Sequence, residues 1–258
     1  MFASRIAAIT MLFFSSLVMM GGCATATSGV ADGAHKQKMP LSPPELNHMA
    51  AESYTRLKSD AVLQSVLNHD LVLVQRANAI VERLWPHTVV FRPEALGWSR
   101  EVNVIATNQV NVFCMPGGKI MIYSGLNRQL GLSDDELAAA IAHAIAHALQ
   151  DHYRAPVSQA LAAKSAAGAN EASYQTFIAT RFSRSEEYEA DRIGLELMAR
   201  AGYDPRAGVT FWQKMVNIKD GLHPPEFVIG HPTDANRAQM IQSLLPITQP
   251  FYDAVRQP

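Results

Sequence analysis

Apolar positions recur at helical spacing over two early stretches, about residues 45–66 and 69–85. In the second, Leu71, Val74, Ala77, Ile80, Val81 and Leu84 share one face and Pro86 ends the pattern. From Glu101 the period falls to two. Val102 and Val104 alternate with polar neighbours, and Val110, Val112 and Cys114 do so again before the turn signal Pro116-Gly117-Gly118. Lys119 to Ser124 then reads as a returning strand, with Ile120 and Ile122 on one face and Met121 and Tyr123 on the other, so a hairpin in a small antiparallel or mixed sheet is expected. Helical spacing resumes afterwards. Ser133 followed by Glu136 three residues on is a capping box, and the helix it opens is expected over about 134–151. Further helices are predicted near 156–167, 171–181, 184–201 (stopped by Gly202 and Pro205), 206–217 and 233–245. One short sheet among so many helices makes the class α+β, mostly helical.

The N-terminus follows a different pattern. Arg5 precedes an apolar run from Ile6 to Met20, and the small residues Gly21-Gly22-Cys23-Ala24 come next. The run is too short for a comfortable membrane span of about 20 residues and reads as a secretory leader. Two ways of processing it stay open. The residues before Cys23 resemble a bacterial lipoprotein box, with Met20 where leucine is usual, which predicts a signal peptide over 1–22 and a lipidated Cys23. Cleavage after Ala24-Thr25-Ala26 is the alternative. Ala24 rather than aspartate after the cysteine resembles sorting to the outer membrane, so the expected location is its periplasmic face. Residues 23–43, rich in Ser, Thr, Gly, Ala and Pro, suit a flexible tether.

Composition and charge narrow the field. The 258 residues are 48% hydrophobic, enough for one good core, and a single domain over about 44–250 accounts for the rest of the chain. With 22 basic and 23 acidic side chains there is no overall field to draw nucleic acid. If Cys23 is lipidated, Cys114 is the only remaining thiol, and within an apolar strand it reads as a small buried hydrophobe.

The candidate chemistry lies on two helices. His143 and His147, four residues apart in the capped helix, present their imidazoles on one face one turn apart and can grip one metal ion. Taken alone this is weak, since two histidines on a partly buried face would look the same. Glu187 and Asp191 repeat the spacing on a later helix. Glu187 can supply a third ligand while Asp191 accepts the other ring N–H of a ligand histidine, which leaves a fourth position open, as in catalytic zinc sites. Glu186 and Glu189 point away from that stripe and read as a solvated acidic face, and His152 as an ordinary residue at a helix end.

At these residues the chain resembles a known family, the membrane-associated zinc peptidases of HExxH type. That family includes the CAAX prenyl proteases, a heat-shock membrane protease and a periplasmic protease of outer-membrane barrel assembly. The resemblance covers about residues 45–247. It is carried by Val112-Phe113-Cys114-Met115-Pro116-Gly117-Gly118-Lys119-Ile120, Tyr123-Ser124-Gly125-Leu126, and Leu137 through His152. It continues in Glu187-Tyr188-Glu189-Ala190-Asp191-Arg192 with Gly194, in Ala201-Gly202-Tyr203-Asp204-Pro205, and in Gly230-His231-Pro232. It implies a zincin-like (gluzincin) domain holding one Zn2+ through His143, His147 and Glu187, with Asp191 as the partner of His143. It also implies that Val110, Asn111, Val112 and Phe113 lie on an edge strand that binds extended substrate through its backbone. By the same resemblance, His231 sits on a loop near the metal, where it takes the open position or assists the oxyanion. Arg237 matches an arginine that holds charge near the transition state.

The chain departs from the family at one position. It reads His143-Ala144-Ile145-Ala146-His147, with alanine where the family has the glutamate that moves a proton from water to the leaving amine. Losing general acid–base catalysis costs about 10²–10⁴ in rate, or roughly 3–5.5 kcal/mol of barrier. Alanine favours the helix and removes a carboxylate that would need desolvating, so metal binding is expected to survive. Two explanations stay open, a variant that has lost its glutamate and a natural pseudopeptidase. The intact remainder of the motif set favours the first. The expected function is a zinc metalloendopeptidase of the bacterial envelope that acts on unfolded or misassembled polypeptides, outer-membrane proteins among them, and is impaired in this chain. A chaperone-like binder of extended polypeptides is the alternative.

Overall fold

A computed structural model describes residues 41–166, 174–218, 231 and 236–256. The expected leader, the lipidation site Cys23 and nearly all of the tether lie outside the described residues.

Helix α1, Pro43–Leu63, starts at a capping box in which the Ser42 side chain and Glu45 satisfy each other's backbone N–H groups. Two residues with positive φ, Ser65 and Asn68, turn the chain into α2, Leu71–Leu84. Asn68 also ties that turn to the sheet. Its backbone N–H donates to the Val104 carbonyl, and its side-chain oxygen accepts from the Val104 N–H at 2.8 Å. Two short 3₁₀ turns, Trp85–Val90, which holds Pro86 in its first turn, and Pro93–Gly97, follow α2.

The sheet is three-stranded and mixed, in the order β1-β3-β2. Strands β2 (Val112–Met115) and β3 (Lys119–Tyr123) form the expected hairpin, with Val112 opposite Ile122, and its turn uses Gly117 and Gly118 at φ near +80°. Strand β1 (Glu101–Ile105) pairs in parallel with β3, a partner the alternation alone did not assign. Both faces of β3 are buried. Ile120 and Ile122 join Val104, Val112 and Cys114 in the main core, while Met121 and Tyr123 join Phe113 and Met115 in a second core under α1.

The remaining helices are α3 (Ser124–Leu130), α4 (Asp134–Leu149), α5 (Arg154–Ala166), α6 (Tyr174–Ile178), α7 (Arg184–Arg200), α8 (Arg206–Val216) and α9 (Arg237–Arg256). Helix α9 differs from expectation, running through Pro246 and Pro250 to Arg256 rather than stopping near 245. Leu244, Leu245, Thr248 and Tyr252 are buried along it, and the Thr248 hydroxyl donates to the Leu244 carbonyl at 3.2 Å. That packing outweighs the proline penalty.

Candidate metal centre

Helix α4 is built to be central. Ser133 and Glu136 cap its start as the sequence predicts, and Ala138, Ala139, Ala140, Ala142, Ala144, Ala146 and Ala148 combine high helix propensity with little bulk. Every residue from Glu136 to Leu149 is buried. Helix α7 can therefore pass very close. A Cβ added to Gly194 would lie 2.9 Å from the His143 backbone nitrogen and 3.0 Å from its Cα, so this crossing requires glycine. Helix α7 has its own capping box, Ser183 with Glu186, and this sets Glu187 in the first turn.

The crossing brings together side chains that the sequence predicted separately. His143 Nε2 lies 3.1 Å from His147 Nε2 and 3.6 Å from Glu187 Oε2, and His147 Nε2 is 3.4 Å from Glu187 Oε1. His231 joins them, its Nδ1 2.8 Å from Glu187 Oε1 and 3.1 Å from His143 Nε2. These four residues are buried and form one group able to hold a metal ion. Donors about 2.0–2.1 Å from a shared tetrahedral centre stand about 3.3 Å apart, and these separations bracket that value. Three imidazole nitrogens and a carboxylate, with lone pairs converging out of water, are a donor set suited to zinc.

The surroundings hold each donor in place. Asp191 Oδ1 is 2.9 Å from His143 Nδ1. Arg237 donates to Asp191 through Nε at 2.9 Å and Nη2 at 2.8 Å, and its Nη1 lies 2.6 Å from Glu187 Oε2. Its guanidinium also sits 3.5 Å from the Trp212 ring centroid. The sequence placed Arg237 beside developing charge. In the structure it stands beside the donor set and clamps the two carboxylates. Phe182 stacks on His147 at 3.8 Å.

Electrostatics follow from these contacts. Burial alone would raise the Glu187 carboxyl, but the surrounding histidines, His231 foremost, outweigh it and hold Glu187 far below the usual range. Burial likewise opposes ionisation of Asp191, and Arg237 and His143 overcome it. Burial pushes His147 and His231 down, against the pull of Glu187, which favours the neutral rings that ligation needs.

Two residues read as ordinary in the sequence, His152 and Glu189, lie in a row with His147. Helix α4 ends at Leu149, and Asp151 adopts φ +56°, which turns the chain back so that the His152 N–H donates to the His147 carbonyl. Arg92 fixes that turn, donating to the Leu149 carbonyl at 2.9 Å and to both Asp151 oxygens. His152 is thereby buried, its Nδ1 2.9 Å from His147 Nδ1 and its Nε2 3.3 Å from Glu189 Oε2. The five-residue step from His147 past a helix end was the signal available in the sequence. It became meaningful only with the αL turn at Asp151.

Strand β2 starts at Val112, so Val110 and Asn111 precede it, although the Asn111 carbonyl accepts from the Tyr123 N–H. The side chains of Val110, Asn111, Val112 and Phe113 are all buried, and β2 is an outer strand of its sheet. Ala144 is buried in the main core one residue beyond His143.

Comparison with known proteins points the same way. The profile of Peptidase family M48 matches residues 75–245. The chain is 32% identical to the mitochondrial metalloendopeptidase OMA1 of Arabidopsis thaliana over 60% of its own length and 33% of that protein's. It is 30% identical to the OMA1 metalloendopeptidase of Saccharomyces cerevisiae over 62% of its length and 50% of the relative's. It is 29% identical to the beta-barrel assembly-enhancing protease of Escherichia coli strain K12 over 66% of its length and 38% of the relative's. The chain thus matches between a third and a half of the length of these relatives.

Proposed function

The chain belongs to peptidase family M48, and from that premise we propose that it is the body of a zinc metalloendopeptidase of the bacterial envelope whose chemical step is suspended by Ala144. The observation that carries this reading is the convergence of His143, His147, Glu187 and His231 into one buried donor set. Zinc held there supplies Lewis acidity, polarising a peptide carbonyl and acidifying water.

The chain's own residues supply the rest. His143 and His147 would hold the metal as neutral imidazoles, and Glu187 would hold it through its carboxylate. Asp191 accepts the Nδ1–H of His143 and so keeps that Nε2 free of a proton. Arg237 holds Glu187 and Asp191 against each other's charge. His231, which comes from neither helix, would be the fourth residue to hold the metal or, with substrate bound, a donor toward the oxyanion. The outer edge of β2, with Val110 and Asn111 leading into it, receives an extended polypeptide by main-chain pairing. At the position of Ala144 no group takes a proton from water or returns one to the leaving amine.

Envelope location, a lipid anchor at Cys23 and substrates among misassembled outer-membrane proteins rest on the leader pattern and on the name of the E. coli relative. Among the described residues no helix is long and apolar enough to cross a membrane. A second reading, a non-cleaving binder of extended polypeptides, is favoured by Ala144 itself.

Metal analysis tests the centre. Purified protein is expected to carry close to one zinc per chain and to lose it in His147→Ala, whereas protein free of zinc, or zinc that survives this substitution, would contradict the assignment.

A further inference from the structure

The two ligand histidines of α4 are supported differently. His143 has a carboxylate directly behind it, Asp191 Oδ1 at 2.9 Å from Nδ1. Behind His147 stands another imidazole. The Nε2 of His147 faces the donor set, 3.1 Å from His143 Nε2 and 3.4 Å from Glu187 Oε1, so ligation requires it unprotonated and places the ring proton on Nδ1. The atom 2.9 Å from that Nδ1 is His152 Nδ1, which must then accept. The proton of His152 is therefore on Nε2, and the group 3.3 Å from it is the Glu189 carboxylate. One set of tautomers satisfies the whole chain of contacts, each N–H meeting an acceptor.

Resting on the metal-centre reading above, we propose that His152 and Glu189 are positioning residues for that centre, a carboxylate–imidazole pair that fixes the tautomer and ring angle of His147. Packing alone accounts poorly for this arrangement. A buried imidazole that only filled space would not need its nitrogens aimed at two polar partners, and Arg92, donating to the Ala148 and Leu149 carbonyls and to both Asp151 oxygens, holds the turn that places His152 there. The exposures rank the two residues. His152 is buried and touches the ligand, whereas the Glu189 side chain is 45% exposed and acts through His152, so its effect is the smaller.

The test uses the full chain with Ala144 in place, so it needs no catalysis. Zinc affinity is measured by competition with a chromophoric chelator, and histidine tautomers by long-range ¹H–¹⁵N spectra of the zinc-bound protein. His152→Ala is expected to weaken zinc binding by about 10–100-fold, and Glu189→Ala by less, with the metal-free protein's melting temperature held in Glu189→Ala. His152→Asn places an amide oxygen where Nδ1 stood and is expected to recover most of the loss. Glu189→Ala added to His152→Asn is expected to cost nothing further. The spectra are expected to show His152 protonated on Nε2. A His152 protonated on Nδ1, or affinity unchanged in His152→Ala, would overturn the proposal, as would an equal Glu189→Ala effect in both backgrounds. If the unsubstituted chain itself fails to bind zinc, the metal centre falls and this pair falls with it. Tight binding there with no loss in His152→Ala rejects the pair alone.

Discussion

Arg237 joins two carboxylates that could not share the interior without it. Removing its guanidinium strands Glu187 and Asp191 in a buried pocket, and breaking such a network typically costs about 3–5 kcal/mol. Arg237→Ala is therefore expected to lower the urea midpoint of the metal-free protein by a corresponding amount, whereas an unchanged midpoint would show the clamp is not needed for stability. The same residue marks a limit of sequence reading. Spacing placed His143, His147, Glu187 and Asp191 because each pair lies one turn apart on its own helix. Arg237 and His152 depend on where α9 and the end of α4 come to rest, and no local pattern encodes that. Glu189 was set aside for pointing away from Glu187, and so it does, yet the chain beyond α4 reaches round to meet it.

At the scale of elements, the central helix depends on its cap and on its neighbour's glycine. Glu136 accepts from the Ser133 N–H at 2.9 Å and lies 2.7 Å from Lys214 Nζ. Burial works against its ionisation, but Lys214, Ser133 and Thr210 hold it below the usual carboxylate range. A lowered folded value means its stabilisation is fully present above the unfolded carboxylate pKa of about 4.3 and is lost as pH falls through the folded value. Glu136→Gln should thus cost about 1 kcal/mol at neutral pH, and the gap between the two proteins should close in unfolding curves taken below about pH 4. A gap that persists in acid would assign the effect to shape instead of charge. Gly194→Ala forces α7 away from α4, with an expected loss of about 1–3 kcal/mol and weaker zinc binding, both readable by titration. Full retention of zinc affinity would show that the crossing distance does not set the donor geometry. Capping boxes and the Ile120/Ile122 against Met121/Tyr123 alternation were legible because they are local. The parallel partner of β3, the Asn68 tie and the run of α9 through two prolines were not, since each is decided by distant packing.

For the whole molecule, the fold reduces to a layered support for one crossing. The sheet backs α4, α7 crosses it at Gly194, α8 sets Trp212 against His143 and the Arg237 guanidinium, and α9 brings Arg237 against the carboxylates. Among the described residues that support is continuous, and by the resemblance the position after His143, Ala144, is where the chain leaves the family motif. On the proposed reading, the body is a family M48 domain with a donor set able to hold a metal and with Ala144 where a proton carrier would stand. Restoring that carrier tests the claim most directly. Ala144→Glu, compared with the unsubstituted chain at equal zinc content, is predicted to raise cleavage of casein or another denatured protein by at least about 10²-fold. Equal rates in the two proteins would contradict the account and leave a binder of polypeptides in its place.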